Sequence, residues 1–275
     1  VSMGAGVTPE TIDQLRAWPL SLVLLAASVV ATLVAGTLYL ERVHRWDPVT
    51  ARFASIPGAL SSVLVLAATS TADLSRVALA QSIRLFTLVA LMPSLLAALG
   101  GGGAAPPAPT DTASTAVESF VTLACSAAAA GVLAALRVPG GVLLGAMIAS
   151  AALHGSGLIE GRLPQGVLIV GFVATGAVIG VRFRGTRLAA LVATLPGALG
   201  SVLIALLLSA VFAGLGVAVL GLPFGQVWLA YAPGGIEAMA IMAFALHLDA
   251  AFVGAHHVLR ILGLSLLSPW WRRRG

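Results

Sequence analysis

The chain has 275 residues, of which 59% are hydrophobic and 9% charged, and its mean hydropathy is +1.04. A soluble domain carries about 25% charged residues, so too little polar surface exists to cover a water-soluble globule. A secreted disulfide scaffold, a disordered tail and a cytosolic enzyme are thereby excluded. The net charge of +5 comes from fifteen basic residues, all Arg, against ten acidic ones. In a soluble protein that balance would suggest nucleic acid; in a membrane protein it flanks spans and sets orientation.

A spanning helix needs about 20 mainly apolar residues. Residues 1–17 contain Glu10, Asp13 and Arg16 and do not read as a signal-peptide start. Spans are expected over 18–40, 75–98, 117–136, 138–155, 166–181, 189–213 and 251–271. Two further apolar stretches, 54–70 and 226–246, contain Pro57-Gly58 and Pro233-Gly234-Gly235 near their starts. Proline and glycine together interrupt helices, so each stretch is expected to be a broken helix or a re-entrant hairpin. The glycine- and proline-rich segment 99–115 reads as a linker, and 214–225 as a loop. The single cysteine, Cys125, permits no disulfide within the chain.

An internal repeat emerges at a shift of 176 residues. Pro57-Gly58 falls on Pro233-Gly234, Asp73 on Asp249, Val77 on Val253, Arg84 on Arg260 and Pro93 on Pro269. Asp is scarce here, and Arg is rare inside the apolar runs, so such matches in one register point to a duplication. Residues 1–98 form a first copy, 99–115 the linker and 116–275 the second copy. The first copy lacks counterparts of 117–136, 138–155 and 166–181, and the chain opens with Val. Truncation and genuine loss both fit.

Charge orients the spans. Arg42, Arg45 and Arg52 follow the first span, Arg182, Arg184 and Arg187 precede 189–213, and Arg272, Arg273 and Arg274 end the chain. The segments 99–115 and 214–225 contain no Arg. The positive-inside rule places the three clusters in the cytoplasm and those two segments outside. The assignments agree if 54–70 and 226–246 each enter and leave on one side, which makes the copies inverted. The fold expected is an all-α polytopic membrane protein with inverted repeats and broken or re-entrant helices.

Several motifs carry a family resemblance. They are Pro139-Gly140-Gly141-Val142-Leu143-Leu144-Gly145, Gly176-Ala177-Val178-Ile179-Gly180-Val181-Arg182-Phe183, and Ala232-Pro233-Gly234-Gly235-Ile236-Glu237-Ala238-Met239 followed by Asp249 and Arg260. In these the chain resembles the membrane AbrB-duplication family, also labelled ammonia monooxygenases. The resemblance implies a multi-pass protein of the inner (cytoplasmic) membrane associated with regulation of gene expression. That family is distinct from the small soluble DNA-binding regulator of the same name. The first copy departs from the pattern, with Ala59 and Ser61 where the second has Gly235 and Glu237. Chemistry needing that carboxylate therefore belongs to the second copy.

The candidate substrate-binding residues are Pro57, Gly58, Asp73 and Arg84 in the first copy and Pro233, Gly234, Gly235, Glu237, Asp249 and Arg260 in the second. Asp249 and Arg260 are eleven residues apart. At about 100° per residue they share a helix face, roughly 16 Å apart along the axis, too far to pair. Asp73 and Arg84 repeat that spacing. Ionisable groups at membrane depth are costly and face a bundle interior. Two readings stand for the aspartates: a polar seam lining a cavity, or caps at helix starts. Two also stand for Pro233-Gly234-Gly235-Ile236-Glu237: a helix start aimed at a substrate, or a plain kink with Glu237 favouring the helix dipole.

His256 and His257 point about 100° apart on a helix and converge poorly on one metal. A polar packing role is expected, with no metal site and no cofactor. Trp270 and Trp271 before Arg272 read as an interfacial anchor. No nucleophile–base pair and no nucleotide fingerprint is visible. The partners expected are the lipid bilayer and an unidentified small molecule or ion, without direct nucleic-acid binding. A transporter-like protein leads, ahead of a membrane-embedded sensor or regulator and of a membrane monooxygenase.

Overall fold

The computed structural model describes residues 18–57, 60–99, 114–136, 138, 141–159, 161, 163–181 and 187–266. Gly58, Arg162, the Arg182–Arg184 pair and everything from Leu267 onward, including Trp270, Trp271 and the three terminal arginines, lie outside them. The described residues form an all-α membrane protein. In chain order the helices are α1 (Trp18–Arg42), α2 (Pro48–Ser55), α3 (Leu60–Ala67), α4 (Leu74–Ala98), α5 (Ala116–Ala135), α6 (Gly141–Gly155), α7 (Gln165–Val181), α8 (Leu188–Leu220), α9 (Phe224–Tyr231), α10 (Ile236–Ala245) and α11 (Ala250–Leu266). Four of them, α1, α4, α5 and α8, are long and apolar enough to cross a membrane.

Local chemistry explains the short helices. Asp47 caps α2 by accepting from the Thr50 N–H at 2.9 Å, and Pro48 occupies the first turn, where its missing N–H costs nothing. The helix stops because Pro57 forces the residue before it out of the helical region: Ile56 sits at φ −60°, ψ 120°. The same event ends α9, where Ala232 precedes Pro233 and sits at φ −54°, ψ 139°. The chain resumes as α3 and α10 four residues on. Each of α2, α3, α9 and α10 rises only about 12–15 Å, half a bilayer core or less.

The 214–225 segment departs from its expected loop. Helix α8 runs through it to Leu220 and ends at Gly221, which takes the left-handed conformation at φ 67°. Gly216 is there for packing: a β-carbon would come within 2.8 Å of Val227 Cγ1. At 33 residues α8 rises roughly 50 Å, more than the hydrocarbon thickness, so it tilts or projects.

Helices α1 and α4 pack against α8, and α9 and α11 complete a single core with them. Leu88 and Met92 of α4 meet Val202 and Leu206 of α8 and Tyr231 of α9 in that core. The outer face is apolar too. Leu203, Leu207 and Val211 of α8 are exposed at helical spacing. In water such a stripe would be an aggregation surface; in a bilayer it meets acyl chains, while the helix satisfies its own backbone. Helices α5 and α6 pair closely with each other, and α7 touches α4 and α10.

Candidate functional site

The two helix breaks are held by two sets of hydrogen bonds whose donors occupy matching positions. When α2 ends early its last carbonyls lose their helical partners, and no water is present at membrane depth to replace them. Gln81 of α4 supplies donors instead: Nε2 donates to Phe53 O at 2.9 Å and to Ile56 O at 3.1 Å. Arg84, one turn on, donates from Nη1 to Ala54 O at 3.5 Å and from Nη2 to Gln81 Oε1.

In the second break the end of α9 is held from α11. His257 Nε2 donates to Leu229 O at 2.9 Å. A carbonyl only accepts, so Nε2 carries the proton and Nδ1 is left as an acceptor. Arg260 Nη2 donates to that Nδ1 at 2.7 Å. Its Nη1 donates to Ala232 O and Nη2 to Gly234 O, both at 2.7 Å. Cations at a helix C-terminus also offset the negative end of its dipole.

Arg84 and Arg260 are 5% and 4% exposed, so both charges are buried. Neither has a carboxylate partner among the described residues. In each the Nε atom is buried and has no hydrogen-bond partner among the described residues. Helix α4, which carries Arg84, touches α10, the helix that follows the second break.

The aspartates sit elsewhere, at helix starts. Asp249 Oδ1 accepts from the N–H groups of Ala251 and Phe252, both at 2.9 Å. Asp73 Oδ1 accepts from the Arg76 N–H at 3.0 Å, and its Oδ2 lies 3.9 Å from Arg76 Nε. Both carboxylates therefore work as caps. Pro57 is buried at the end of the first break, and Pro233 and Gly234 are buried and Gly235 half-buried in the second. Gly234 has an ordinary φ; the glycines at positive φ are Gly157 and Gly221 among the described residues. Its lack of a side chain makes room for Met239, whose Cε and Cγ would lie 2.7 Å from an added β-carbon. Glu237 lies in the first turn of α10, and its side chain is outside the described residues.

A second polar group was not legible in the sequence. Ser21 of α1, Tyr231 of α9 and His256 of α11 form a buried chain. His256 Nδ1 donates to Phe252 O at 2.8 Å, so Nε2 accepts, and Ser21 Oγ approaches it at 2.8 Å. Tyr231 Oη donates to Ser21 O at 2.9 Å and lies 3.0 Å from Ser21 Oγ. The neighbouring histidines thus serve separate partners. Among the described residues no three His, Cys, Asp or Glu side chains converge to hold a metal. Sequence spacing alone could have flagged Gln81 and His257, since each is polar, lies three residues before a buried Arg, and matches the other at the 176-residue shift.

Apolar helices with lipid-type outer faces, broken at Pro-Gly and held by buried arginines, define an all-α membrane protein with polar groups gathered inside. The chain belongs to the AbrB family: the family model described as "Transition state regulatory protein AbrB" matches residues 1–274. It is 28% identical over 261 residues to the protein of Escherichia coli (strain K12) named "Putative regulator AbrB", covering 92% of this chain and 73% of that one. It is 30% identical over 270 residues to "Uncharacterized protein YhjN" of Bacillus subtilis (strain 168), covering 91% of this chain and 69% of that one. No solved structure matches it.

Proposed function

We propose that the chain works as a transporter-like protein of the inner membrane. A small-molecule or ion site lies where its two interrupted helices meet, between inverted repeats formed by 1–98 and 116–275. One observation carries this reading. The donors Gln81 and Arg84 at the end of α2 coincide with His257 and Arg260 at the end of α9 at the 176-residue shift, as do the acceptors Phe53 O and Leu229 O, while the arginines reach different carbonyls, Ala54 O against Ala232 O and Gly234 O. Broken helices at membrane depth persist where protein or a cavity satisfies the freed backbone, and in transporters they frame the substrate.

Substituted-cysteine accessibility tests it. In a Cys125→Ser background, cysteines at positions 55 and 235, beside the two breaks, are expected to label from both sides of sealed vesicles, each side in part. Labelling from neither side, with no solute flux in proteoliposomes, would overturn the site. A membrane-embedded sensor is the second reading, favoured by the regulator name of the Escherichia coli relative. It shares the binding site but expects ligand binding without flux.

A further inference from the structure

We propose that Ser21, Tyr231 and His256 form a proton-binding site joining α1 to α9 and α11, with His256 Nε2 as the atom that takes the proton. The inference goes beyond the central site. It concerns the start of α1, and it holds whether the chain moves a solute or only senses one.

The hydrogen-bond chain can run in either direction. With His256 neutral, Nδ1 donates to Phe252 O at 2.8 Å, Ser21 Oγ donates to Nε2 at 2.8 Å, and Tyr231 Oη donates to Ser21 O at 2.9 Å. A proton taken from water turns Nε2 from acceptor into donor, and a hydroxyl can serve as both. Nε2 then donates to Ser21 Oγ, whose own hydrogen swings to Tyr231 Oη, 3.0 Å away. The bonds from Nδ1 to Phe252 O and from Tyr231 Oη to Ser21 O stay as they were. Every donor in the chain keeps an acceptor, no heavy atom has to move, and one hydrogen bond is gained. A proton needs no cavity, so the burial of all three side chains is compatible with the bound state.

The adjacent histidine has no such freedom. His257 Nε2 donates to Leu229 O, and its Nδ1 accepts from Arg260 Nη2. A second proton there would set donor against donor. The titratable and charged groups around His256 are Tyr231 of α9 and, on α11 itself, His257 and Arg260, both committed to the second break. From α1 comes Ser21, and from α8 Gly216, where an added β-carbon would lie 3.5 Å from Tyr231 Oη. Helix α6 brings Met147 against α11, and α10 carries Glu237, whose side chain is outside the described residues. Depth favours the charged state as well. Ser21 lies three residues inside the start of α1, whose 25 residues rise about 37 Å against a hydrocarbon core of about 30 Å. The site therefore sits toward one membrane face, where a charge costs less than at the bilayer centre.

The test uses the full chain in lipid nanodiscs with isotope-labelled histidine, followed by solid-state nuclear magnetic resonance as the pH is lowered, so that the proton itself is the probe. The His256 signals are those lost in His256→Gln. On acidification His256 is expected to pass reversibly from the form protonated at Nδ1 to the imidazolium while the protein stays folded, and His257 to remain neutral over the same range. Ser21→Ala removes the hydroxyl that accepts from the imidazolium. It should lower the midpoint by about one pH unit, because a hydrogen bond to a charged group exceeds a neutral one by roughly tenfold in proton affinity. Ser21→Thr keeps the hydroxyl and should titrate as the parent does. A His256 that stays neutral until the protein unfolds would overturn the proposal in the parent chain alone. So would titration of His257 in its place, or a His256 midpoint that Ser21→Ala leaves unmoved.

Discussion

Gln81 and His257 stand 176 residues apart, and each donates from Nε2 to the carbonyl 28 positions before it, Phe53 O and Leu229 O, both at 2.9 Å. An amide and an imidazole share no chemistry beyond a donor at that reach and an acceptor behind it. Each presents the acceptor to an Arg Nη2 three residues on. The geometry is shared although the residue types differ. That is the pattern left when a backbone break must be satisfied and any side chain able to do so serves.

Arg260→Ala is expected to be among the most damaging single substitutions. It strands Gly234 O and His257 Nδ1 away from water, at about 1–3 kcal/mol for each buried unmade partner, while Ala232 O keeps the Gly234 N–H at 2.8 Å. Arg42→Ala, at the exposed end of α1, should stay within about 0.5 kcal/mol. Unfolding in micelles followed by intrinsic fluorescence compares them. Equal stability of the two variants would remove Arg260 from the scaffold.

The pairing of α5 with α6 depends on one close approach. A β-carbon at Gly145 would collide with the backbone of Ala129 and lie 2.6 Å from Ala130 N. Backbone cannot yield as a side-chain tip can, so Gly145→Ala should force the helices apart. Cysteine pairs placed across the two helices would report this as a loss of cross-linking. Gly234→Ala meets side chain rather than backbone first, the Cγ, Sδ and Cε of Met239, and should be milder.

Ser21→Ala should cost about 0.5–1.5 kcal/mol, the net contribution of the hydrogen bond its hydroxyl makes to His256 Nε2 at 2.8 Å. Tyr231→Phe removes the hydroxyl that reaches both Ser21 oxygens. The two changes share partners, so the double variant is expected to fall short of additivity by about 0.5 kcal/mol or more. A double-mutant cycle yielding simple additivity would show that these groups do not act as a unit.

Glu237→Gln distinguishes a dipole role from a site role. If the carboxylate only favours the start of α10, its loss costs about 0.3–1 kcal/mol and expression barely changes. The site reading expects ligand binding to change while the protein stays folded. Binding with unaltered affinity and pH dependence returns Glu237 to a purely structural part.

The orientation set by the arginines gives a further outcome. Cysteines at Thr112 and Gly275, in a Cys125→Ser background, should label from opposite sides of the membrane, because the linker has no Arg and the tail has three. Equal labelling of both from outside intact cells would contradict inverted repeats.

Features under short-range control were legible in the residues alone. Proline restricts the residue before it, so the breaks at Ile56-Pro57 and Ala232-Pro233 could be located from the residues alone. Apolar runs of spanning length identify the membrane class because a bilayer leaves few alternatives. The tertiary structure decided everything that depends on distant partners. Glycines at 214 and 216 look like a loop, yet they lie within α8, because Gly216 lets Val227 approach closely. Asp249 and Arg260 belong to one helix and act in different places. The aspartate caps its start, and the arginine reaches back to the carbonyls that follow another helix. Ser21 gives no signal in the sequence, because its role exists only once α1 lies against α9 and α11. Side-chain spacing fixes which face a residue occupies, whereas only packing fixes what that face meets.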